Sequence, residues 1–575
     1  MIGGGALQVR GLIEALGDDV VTAFGDLCYA PTGVSNDHRR VEPGGMFVCI
    51  KGFNVDGHGY AARAVANGAA VLVAQEPFGE LGMPAEPCTA ASDPDGFSGA
   101  PAAKQLRAFV QVRDTRRALA AASHLFYGEP TKRLKLAGVT GTKGKTTTVY
   151  MIRSILNAAG MKTGLLGTVE NDVGGEVAPA NETTPESVEL AAMLAKMVER
   201  GCSHAAMEVS SQGLALHRVD FCDFDIGVFT NFSRDHISPN EHKNMDDYLA
   251  AKLKLFSMCR QAVINADIKE CAAVRAAAAA SGRCGAILTY SADAQGDGYV
   301  GADIRASRIE AVGTGDAAAT GNACSTGGAA ATGNEAGTVA TADSGIASGT
   351  GGAAAVGTAH GSAGVRTRFY VTTPWFSDTL EIALPGRYNV SNALAAIAVC
   401  GLLGASKDAV REGLANVSVR GRTQLIDEGQ NFTVMVDFAH NATSLGALIG
   451  MLREHGFRSI TAVFGCGGNR DRNRRFEMGE VSGRMSDFTI VTSDNPRNED
   501  PEMIMADIET GLRRTAGRYT AVADRREAIG HAIKNAAEGD LVLIAGKGHE
   551  TSQTFADRTL PFDDAQVARE FLSKL

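Results

Sequence analysis

The chain has 575 residues, 45% hydrophobic and 21% charged, with 55 Lys plus Arg against 65 Asp plus Glu. Such a length suggests about three domains, and the composition excludes a largely disordered chain. The net charge of -10 speaks against a protein that grips nucleic acid by bulk charge.

Residues from about 20 to 75 alternate short apolar runs with turns (MFVCI, KGFNVDGHGY, AARAVANGAA, VLVAQ), which predicts a small α/β unit. Glu76 to Lys104 is rich in Pro, Gly, Ser and Asp and reads as a long loop. An amphipathic helix is expected near Thr115–Tyr127, followed by a linker at Gly128–Arg133. From Leu134 a strand, a Gly-rich loop and a helix open a second α/β region. A third, from about Gly421, carries four apolar strands (TVMVDF, SITAVFG, DFTIVTS, DLVLIAG), each ending in a polar loop. This pattern places sites at strand C-termini of a doubly wound sheet. The expected division is 1–132, 133–420 and 421–575.

One stretch breaks the pattern. Gly313 to Gly364 is all Ala, Gly, Ser or Thr apart from ten residues, with no Lys, Arg or aromatic residue. It cannot bury enough apolar surface to offset its ordering entropy, so residues 313–364 are expected to be a disordered insertion without catalytic role. It is flanked by RASRIEAV and VRTRFYVTT, both strand-like, and so forms an oversized hairpin loop in this reading.

Eleven cysteines are scattered and never form CxxC, which argues for reduced thiols rather than a disulfide framework or zinc knuckle. No run approaches ~18 apolar residues, so no membrane insertion is expected. The N-terminus lacks the basic start and apolar run of a secretion signal, and a cytoplasmic location is the expectation.

The strongest local signal is AGVTGTKGKTTT, Ala137 to Thr148, between a strand-like KLAGV and a helix-like VYMIRSIL. A phosphate loop needs that context, because backbone N–H groups and a helix N-terminus must face phosphate oxygens. Gly141, Thr142, Lys143, Gly144, Lys145, Thr146 and Thr147 are the candidate nucleotide contacts. Lys145 is expected to reach the terminal phosphates of ATP, and the Thr146 hydroxyl to bind Mg²⁺. The spacing departs from GxxxxGK[ST]: Val139 stands where the first glycine is expected, and the glycine is Gly138.

GTKGKTT resembles the nucleotide loop of the Mur ligase family, ATP-dependent enzymes that build the peptide stem of bacterial cell-wall precursors; its members usually carry Asn where Lys143 stands. Further blocks follow in the family's order: MEVSSQGLALHRV (Met207–Val219), NFSRDH (Asn231–His236), YLAAKLKLF (Tyr248–Phe256), LPGRYNVSNALAA (Leu384–Ala396), GRTQ (Gly421–Gln424) and VDFAHNATSL (Val436–Leu445). The resemblance implies a three-domain α/β ligase with a central P-loop parallel-sheet domain and a Rossmann-like C-terminal domain. ATP would activate a carboxylate as an acyl phosphate, which an amine then attacks. Lys145, Glu208, His236 and Lys252 would be catalytic. Glu208 and His236 would hold metal with Thr146, joined by Lys252 as its carbamate, an anionic oxygen ligand suited to Mg²⁺. Lys254, two residues on in a helix, points to another face. Asn392, Arg422 and Asp437 would complete the ATP site.

NDHRRVEPGGMFVCIKGFNVDGH (Asn36–His58) resembles the UDP-binding region of the family branch that adds the third residue of the stem, with His38 standing where that branch usually has Ser. Thr183, Thr184, Ser210 and Arg218 match muramyl-substrate contacts, with Glu182 at a usual Asn. TSDNPRNEDP (Thr492–Pro501) resembles the block that selects meso-diaminopimelate, contributing Asp494, Asn495, Pro496 and Arg497; Arg470, Gly546 and Glu550 match the other amino-acid contacts. Arg497 offers a bidentate fork for the far carboxylate of that amino acid, and Glu550 a partner for its far amine.

The implied partners are therefore UDP-N-acetylmuramoyl-L-alanyl-D-glutamate and free diaminopimelate, without nucleic acid and with a monomeric enzyme. L-lysine is the alternative amino acid, because ISPNEHKNMDDY (Ile237–Tyr248) and Lys143 are similar to some lysine-adding relatives. Two other readings compete: a folylpolyglutamate synthase-like ligase, opposed by the roughly 130 residues before the phosphate loop, and a non-catalytic nucleotide-binding homologue.

Overall fold

A computed structural model describes residues 7–53, 55–83, 106–235, 237–238, 241–296, 298–312 and 365–575. The proposed insertion at 313–364 and His236 lie outside the described residues.

Among the described residues three large sheets follow one another along the chain, with a two-stranded ribbon, Ser552–Thr554 and Thr559–Pro561, near its end. The first has five strands in the order Val20–Gly25, Ala108–Val112, Val71–Ala74, Met46–Val48, Val34–Ser35, with only the first pair antiparallel. The expected helix forms at Thr115–Phe126, capped by the Asp114 carboxylate, which accepts from the N–H groups of Arg116 and Arg117. The expected linker contains a short 3₁₀ turn at Pro130–Lys132, whose Pro130 and Thr131 are buried rather than exposed.

The second sheet has eleven strands. Its middle is parallel, in the order Ala286–Ser291, Cys259–Asn265, Phe224–Phe229, Lys135–Thr140, His204–Glu208, Thr163–Leu166. Lys135–Thr140 is buried from Leu136 onward, as both faces of a parallel sheet are covered by helices. On one face Lys145–Ala158 packs against Arg387–Leu402, joining Val149, Ile152, Val390 and Leu394 in one core; on the other, Leu190, Leu194 and Phe256 close a second. Ile304–Val312 and Arg366–Thr372 pair antiparallel, with Val312 opposite Arg366, so the two strand-like flanks of the Ala/Gly/Thr stretch do form a hairpin.

The third sheet has six strands where four were expected: Gln424–Ile426, Thr433–Asp437, Asp540–Ala545, Ser459–Phe464, Phe488–Val491, Tyr519–Ala521. The four expected strands form its buried parallel middle. The two additions are three-residue edge strands, one antiparallel, too short to carry a hydrophobic period.

Candidate active site

The phosphate loop leaves the C-terminal end of Lys135–Thr140, the central strand, and enters the helix Lys145–Ala158. Gly141 and Gly144 both have positive φ (142° and 84°), and each is crowded: a Cβ at Gly141 would lie 2.0 Å from Thr230 Oγ1, and one at Gly144 2.3 Å from Asn392 Oδ1. Only glycine meets both demands. The loop is tied to the neighbouring strand end. The Thr142 N–H donates to Asn231 O at 2.9 Å, the Lys143 N–H to Asn231 Oδ1 at 2.8 Å, and the Thr230 hydroxyl to Lys143 O at 2.7 Å.

Lys145 Nζ donates to the carbonyls of Gly141 and Thr142, both at 3.0 Å, and burial lowers its pKa. Lys252 Nζ, from the helix Met245–Leu253, donates to the same Gly141 oxygen at 2.8 Å and lies over the Tyr248 ring. Its side chain is buried, and desolvation aided by the Lys145 charge holds its pKa down to about 6. Lys254 is exposed, as helix geometry requires of the residue two positions on. Lys143 is exposed, while Thr146 is buried at the first turn of the helix.

Glu208 ends the adjacent strand His204–Glu208 and is buried. Among the described residues its carboxylate accepts from Thr168, through the N–H at 2.8 Å and the hydroxyl at 3.1 Å. Thr168 Oγ1 in turn lies 3.0 Å from Thr183 Oγ1. Because the carboxylate only accepts, the Thr168 hydroxyl donates to Glu208 and accepts from Thr183. The Thr184 hydroxyl donates to Glu208 O at 3.0 Å and accepts from the Ser210 N–H at 2.9 Å, and Ser210 Oγ caps the helix Ser211–Ala215.

These groups surround one cavity of about 300 Å³ lined by Lys145, Thr168, Thr183, Thr184, Ser210, Arg218, His242 and Lys252, among others. Of these eight, Thr168 and His242 were not singled out in the sequence. Thr168 follows a strand with no motif around it. His242 is buried, with Nδ1 3.2 Å from Asp247 Oδ2 and Nε2 without a hydrogen-bond partner among the described residues. Its only sequence signal was its place in the block between Ile237 and Tyr248.

A second cavity, about 740 Å³, is lined by Asn265, Asp267, Arg387, Tyr388 and Ser391 among others. Asn265 Nδ2 donates to Thr230 O at 2.8 Å, and Ser391 adjoins Asn392, so both ends of this wall touch the loop's supports. The third sheet contributes here too. Arg422 stacks on Phe438, its centre 4.6 Å from the ring centroid, and its positive charge repels that of Lys145, adding to the lowering of the Lys145 pKa. Asp437 is buried, which raises its pKa, and it accepts from the Thr423 N–H at 2.7 Å and the Ala439 N–H at 2.8 Å.

The expected amino-acid contacts gather at the C-terminal edge of the third sheet. The Arg497 backbone is left-handed (φ 54°), and its Nη1 donates to Gly468 O at 2.8 Å. Asn495 Nδ2 donates to Glu550 Oε2 at 2.7 Å, and Asn495 Oδ1 accepts from the Thr554 N–H at 3.0 Å. Glu550 also accepts from the buried Lys547 Nζ at 3.1 Å, so its carboxylate already has a cationic partner; Lys547 was not identified from the sequence. Gly546 (φ 110°) brings the chain against Asp494, whose Oδ2 would lie 2.8 Å from a Cβ there. Pro496 adjoins these residues, its carbonyl pressed against Gly468, and Arg470 is exposed nearby. This is one cluster, separate from the cavity holding Lys145 and Lys252.

Comparison with known proteins covers all three regions. The chain matches the Mur ligase family catalytic domain over residues 31–127, the Mur ligase middle domain over 139–324 and the Mur ligase glutamate ligase domain over 421–548. It is 36% identical over 544 residues to the UDP-N-acetylmuramoyl-L-alanyl-D-glutamate–2,6-diaminopimelate ligase of Caldanaerobacter subterraneus, covering 94% of this chain and 95% of that one. It is 38% identical over 543 residues to the ligase of the same name from Geobacillus thermodenitrificans, covering 93% of each. A solved structure of a ligase of this name superposes with a TM-score of 0.63 at 26% identity over 95% of both chains.

Proposed function

The chain belongs to the Mur ligase family, and from that premise we propose that it joins 2,6-diaminopimelate to the D-glutamyl carboxylate of UDP-N-acetylmuramoyl-L-alanyl-D-glutamate at the expense of ATP. The observation that carries this reading is the convergence of Lys145, Lys252 and the Thr183–Thr184–Ser210–Arg218 group on one cavity, with Glu208 bonded to Thr168 in its wall. The loop and the Lys145–Ala158 helix N-terminus would take the phosphates. The larger cavity beside Asn392 would take the nucleoside, with Arg422 and Asp437 reaching in from the third sheet.

Phosphoryl transfer to the substrate carboxylate gives an acyl phosphate and ADP; attack of the free amine then forms the amide and releases phosphate. Lys145, freed from the Gly141 and Thr142 carbonyls, would follow the charge that develops on the transferred group. Thr183 and Thr184 would orient the accepting carboxylate and Arg218 would hold an anionic part of the dipeptide.

The residues present fit Mg²⁺. Glu208 is a buried carboxylate met by the neutral donors of Thr168, Thr146 adds a hydroxyl, and Lys252 in its carbamate form would add anionic oxygen. His236 completes this set in our reading. Bound there, the ion would neutralise charge on the phosphoryl oxygens.

Diaminopimelate is favoured over lysine because the relatives above carry its name and because Arg497, beside Asn495 and Asp494, offers donors for a second carboxylate. Glu550, already bonded to Lys547, would act through Asn495 as much as on the far amine. We place the reaction in the cytoplasm, where ATP is supplied; no described helix is long and apolar enough to cross a membrane.

The test is ADP release from Mg-ATP and the UDP-muramyl dipeptide with diaminopimelate and L-lysine in parallel. Release that depends on diaminopimelate supports the reading. Release with lysine alone keeps the ligase and removes the selectivity argument. No release with either, while ATP still binds, would move the chain to a nucleotide-binding role.

A further inference from the structure

Arg218 lines the small cavity beside Thr183, Thr184 and Ser210, together with Lys145 and Lys252, and its fork is occupied. Nη1 donates to Glu182 Oε2 at 2.5 Å and to Thr184 O at 2.9 Å, and Nη2 donates to Glu182 Oε1 at 3.2 Å and lies 2.7 Å from Glu186 Oε1. The Arg218 side chain is 10% exposed, against 42% for Glu182 and 33% for Glu186. One guanidinium therefore faces two carboxylates.

The two acids differ in attachment. Glu186 is the N-cap residue of the helix Ser187–Glu199, held at a fixed helix end. Glu182 sits in the segment between the strand Val177–Pro179 and that helix, directly before Thr183, and lines the cavity itself. Its bidentate grip on Arg218 is the geometry of a carboxylate bound to arginine. Burial raises its pKa, Arg218 opposing and Glu186 reinforcing the rise. An anionic dipeptide thus meets an arginine whose charge is already more than balanced.

We propose that Glu182 sets the affinity of the muramyl-peptide site: its carboxylate stands on Arg218 in the ligand-free enzyme, and substrate binding exchanges it for a carboxylate of the dipeptide. This rests on the reading that Arg218 binds the dipeptide. Binding then gains only the difference between two similar ion pairs, together with release of repulsion from Glu182. A neutral residue at position 182 leaves Arg218 paired with Glu186 alone and removes the competitor.

The experiment is calorimetric binding of UDP-N-acetylmuramoyl-L-alanyl-D-glutamate, without ATP, to the full-length protein and to E182Q, E182N, R218M and E182Q/R218M. Kd is expected to fall about two- to fivefold in E182Q and E182N, the range of one partly exposed ion pair, and to rise in R218M. In the double variant most of the gain from E182Q disappears, since it acts through Arg218. An unchanged or raised Kd in both Glu182 variants overturns the proposal, as does a gain that persists in full without Arg218. A Kd unmoved by R218M instead removes the assignment of Arg218 on which the proposal rests, and a melting curve on each variant separates either result from misfolding.

Discussion

The side-chain nitrogens of Lys145 and Lys252 converge on one acceptor, the carbonyl oxygen of Gly141, at 3.0 and 2.8 Å. Two ammonium groups so close repel, and in a buried site the repulsion is screened little. Lys252 yields: burial and the Lys145 charge hold its pKa down to about 6, so above that pH its neutral amine predominates. A neutral amine is the form that attacks CO₂ to make a carbamate. Lys252→Arg, which keeps a cation and cannot form one, is expected to lower ADP release by at least about a hundredfold, the scale of removing one transition-state stabilising group. The check is steady-state turnover with and without added bicarbonate; turnover in the variant close to that of the parent protein would remove the carbamate from the reaction.

Glu208 is the other half of that argument. Its carboxylate accepts from Thr168 alone among the described residues' hydrogen-bond donors, and no described cation forms an ion pair with it. Glu208→Gln keeps the shape and removes the charge. The magnesium concentration at half-maximal turnover should rise roughly tenfold or more, since losing even a group that only supports a metal ligand typically costs about 10–100-fold in affinity. A magnesium titration that superposes on that of the parent protein would exclude Glu208 from the metal site.

Much of this site was legible because the phosphate loop and its companion blocks concentrate chemistry in short runs. The strand–loop–helix context of Gly141–Thr147 is a local pattern, and the structure delivers it. Lys252 was identified by its match to the family's lysine block, and helix periodicity then set Lys254 on another face. Thr168, His242 and Lys547 were not legible, because each gains its role from a partner far away in sequence: Glu208 for Thr168, the cavity wall for His242, Asn495 for Lys547. The six-stranded third sheet was read as four because three-residue edge strands carry no period. That Glu182 would occupy Arg218 was equally hidden, since thirty-odd residues separate them in the chain.

Arg497 holds a left-handed backbone and anchors one nitrogen on Gly468 O, so its guanidinium is set by the loop rather than by rotamer choice. Arg497→Lys retains the charge and loses the planar fork. KM for diaminopimelate is expected to rise about tenfold or more, with KM for ATP moving far less, since Arg497 lies in the cluster apart from Lys145. Equal changes in both constants would mean that the substitution disturbs the fold of the third region rather than amino-acid recognition.

His124 connects stability to pH. It is buried in the helix Thr115–Phe126, its Nε2 3.3 Å from Cys222 Sγ and its Nδ1 without a hydrogen-bond partner among the described residues. Desolvation lowers its pKa from 6.5 to about 4, so the folded protein keeps it neutral where the unfolded chain protonates it. The stability it contributes is complete above pH 6.5 and is lost as pH falls through 4, up to about 3 kcal/mol. Denaturant melts of the parent protein and His124→Gln between pH 7 and 4.5 should show a shallower decline in the variant; parallel declines would place the acid sensitivity elsewhere.

The Arg525–Asp564 pair tests what holds the amino-acid cluster in place. Both side chains are fully buried, and two parallel bonds join them, Nε to Oδ1 and Nη2 to Oδ2, each 2.8 Å. The same guanidinium donates to Ala545 O at 2.9 Å and reaches Ser493 O at 3.4 Å, the residues that precede Gly546 and Asp494. It therefore pins the two strand ends whose loops carry Asn495, Arg497 and Glu550. Asp564→Asn strands a buried cation and should cost about 3–5 kcal/mol. Replacing both partners with apolar residues of similar volume should recover most of that stability, because no uncompensated charge remains. It would not restore the two carbonyl contacts, so KM for diaminopimelate should stay raised in the double variant while its melting point returns. Recovery of both together would mean that the pair supports only the fold, and that Asn495 and Arg497 keep their geometry without it.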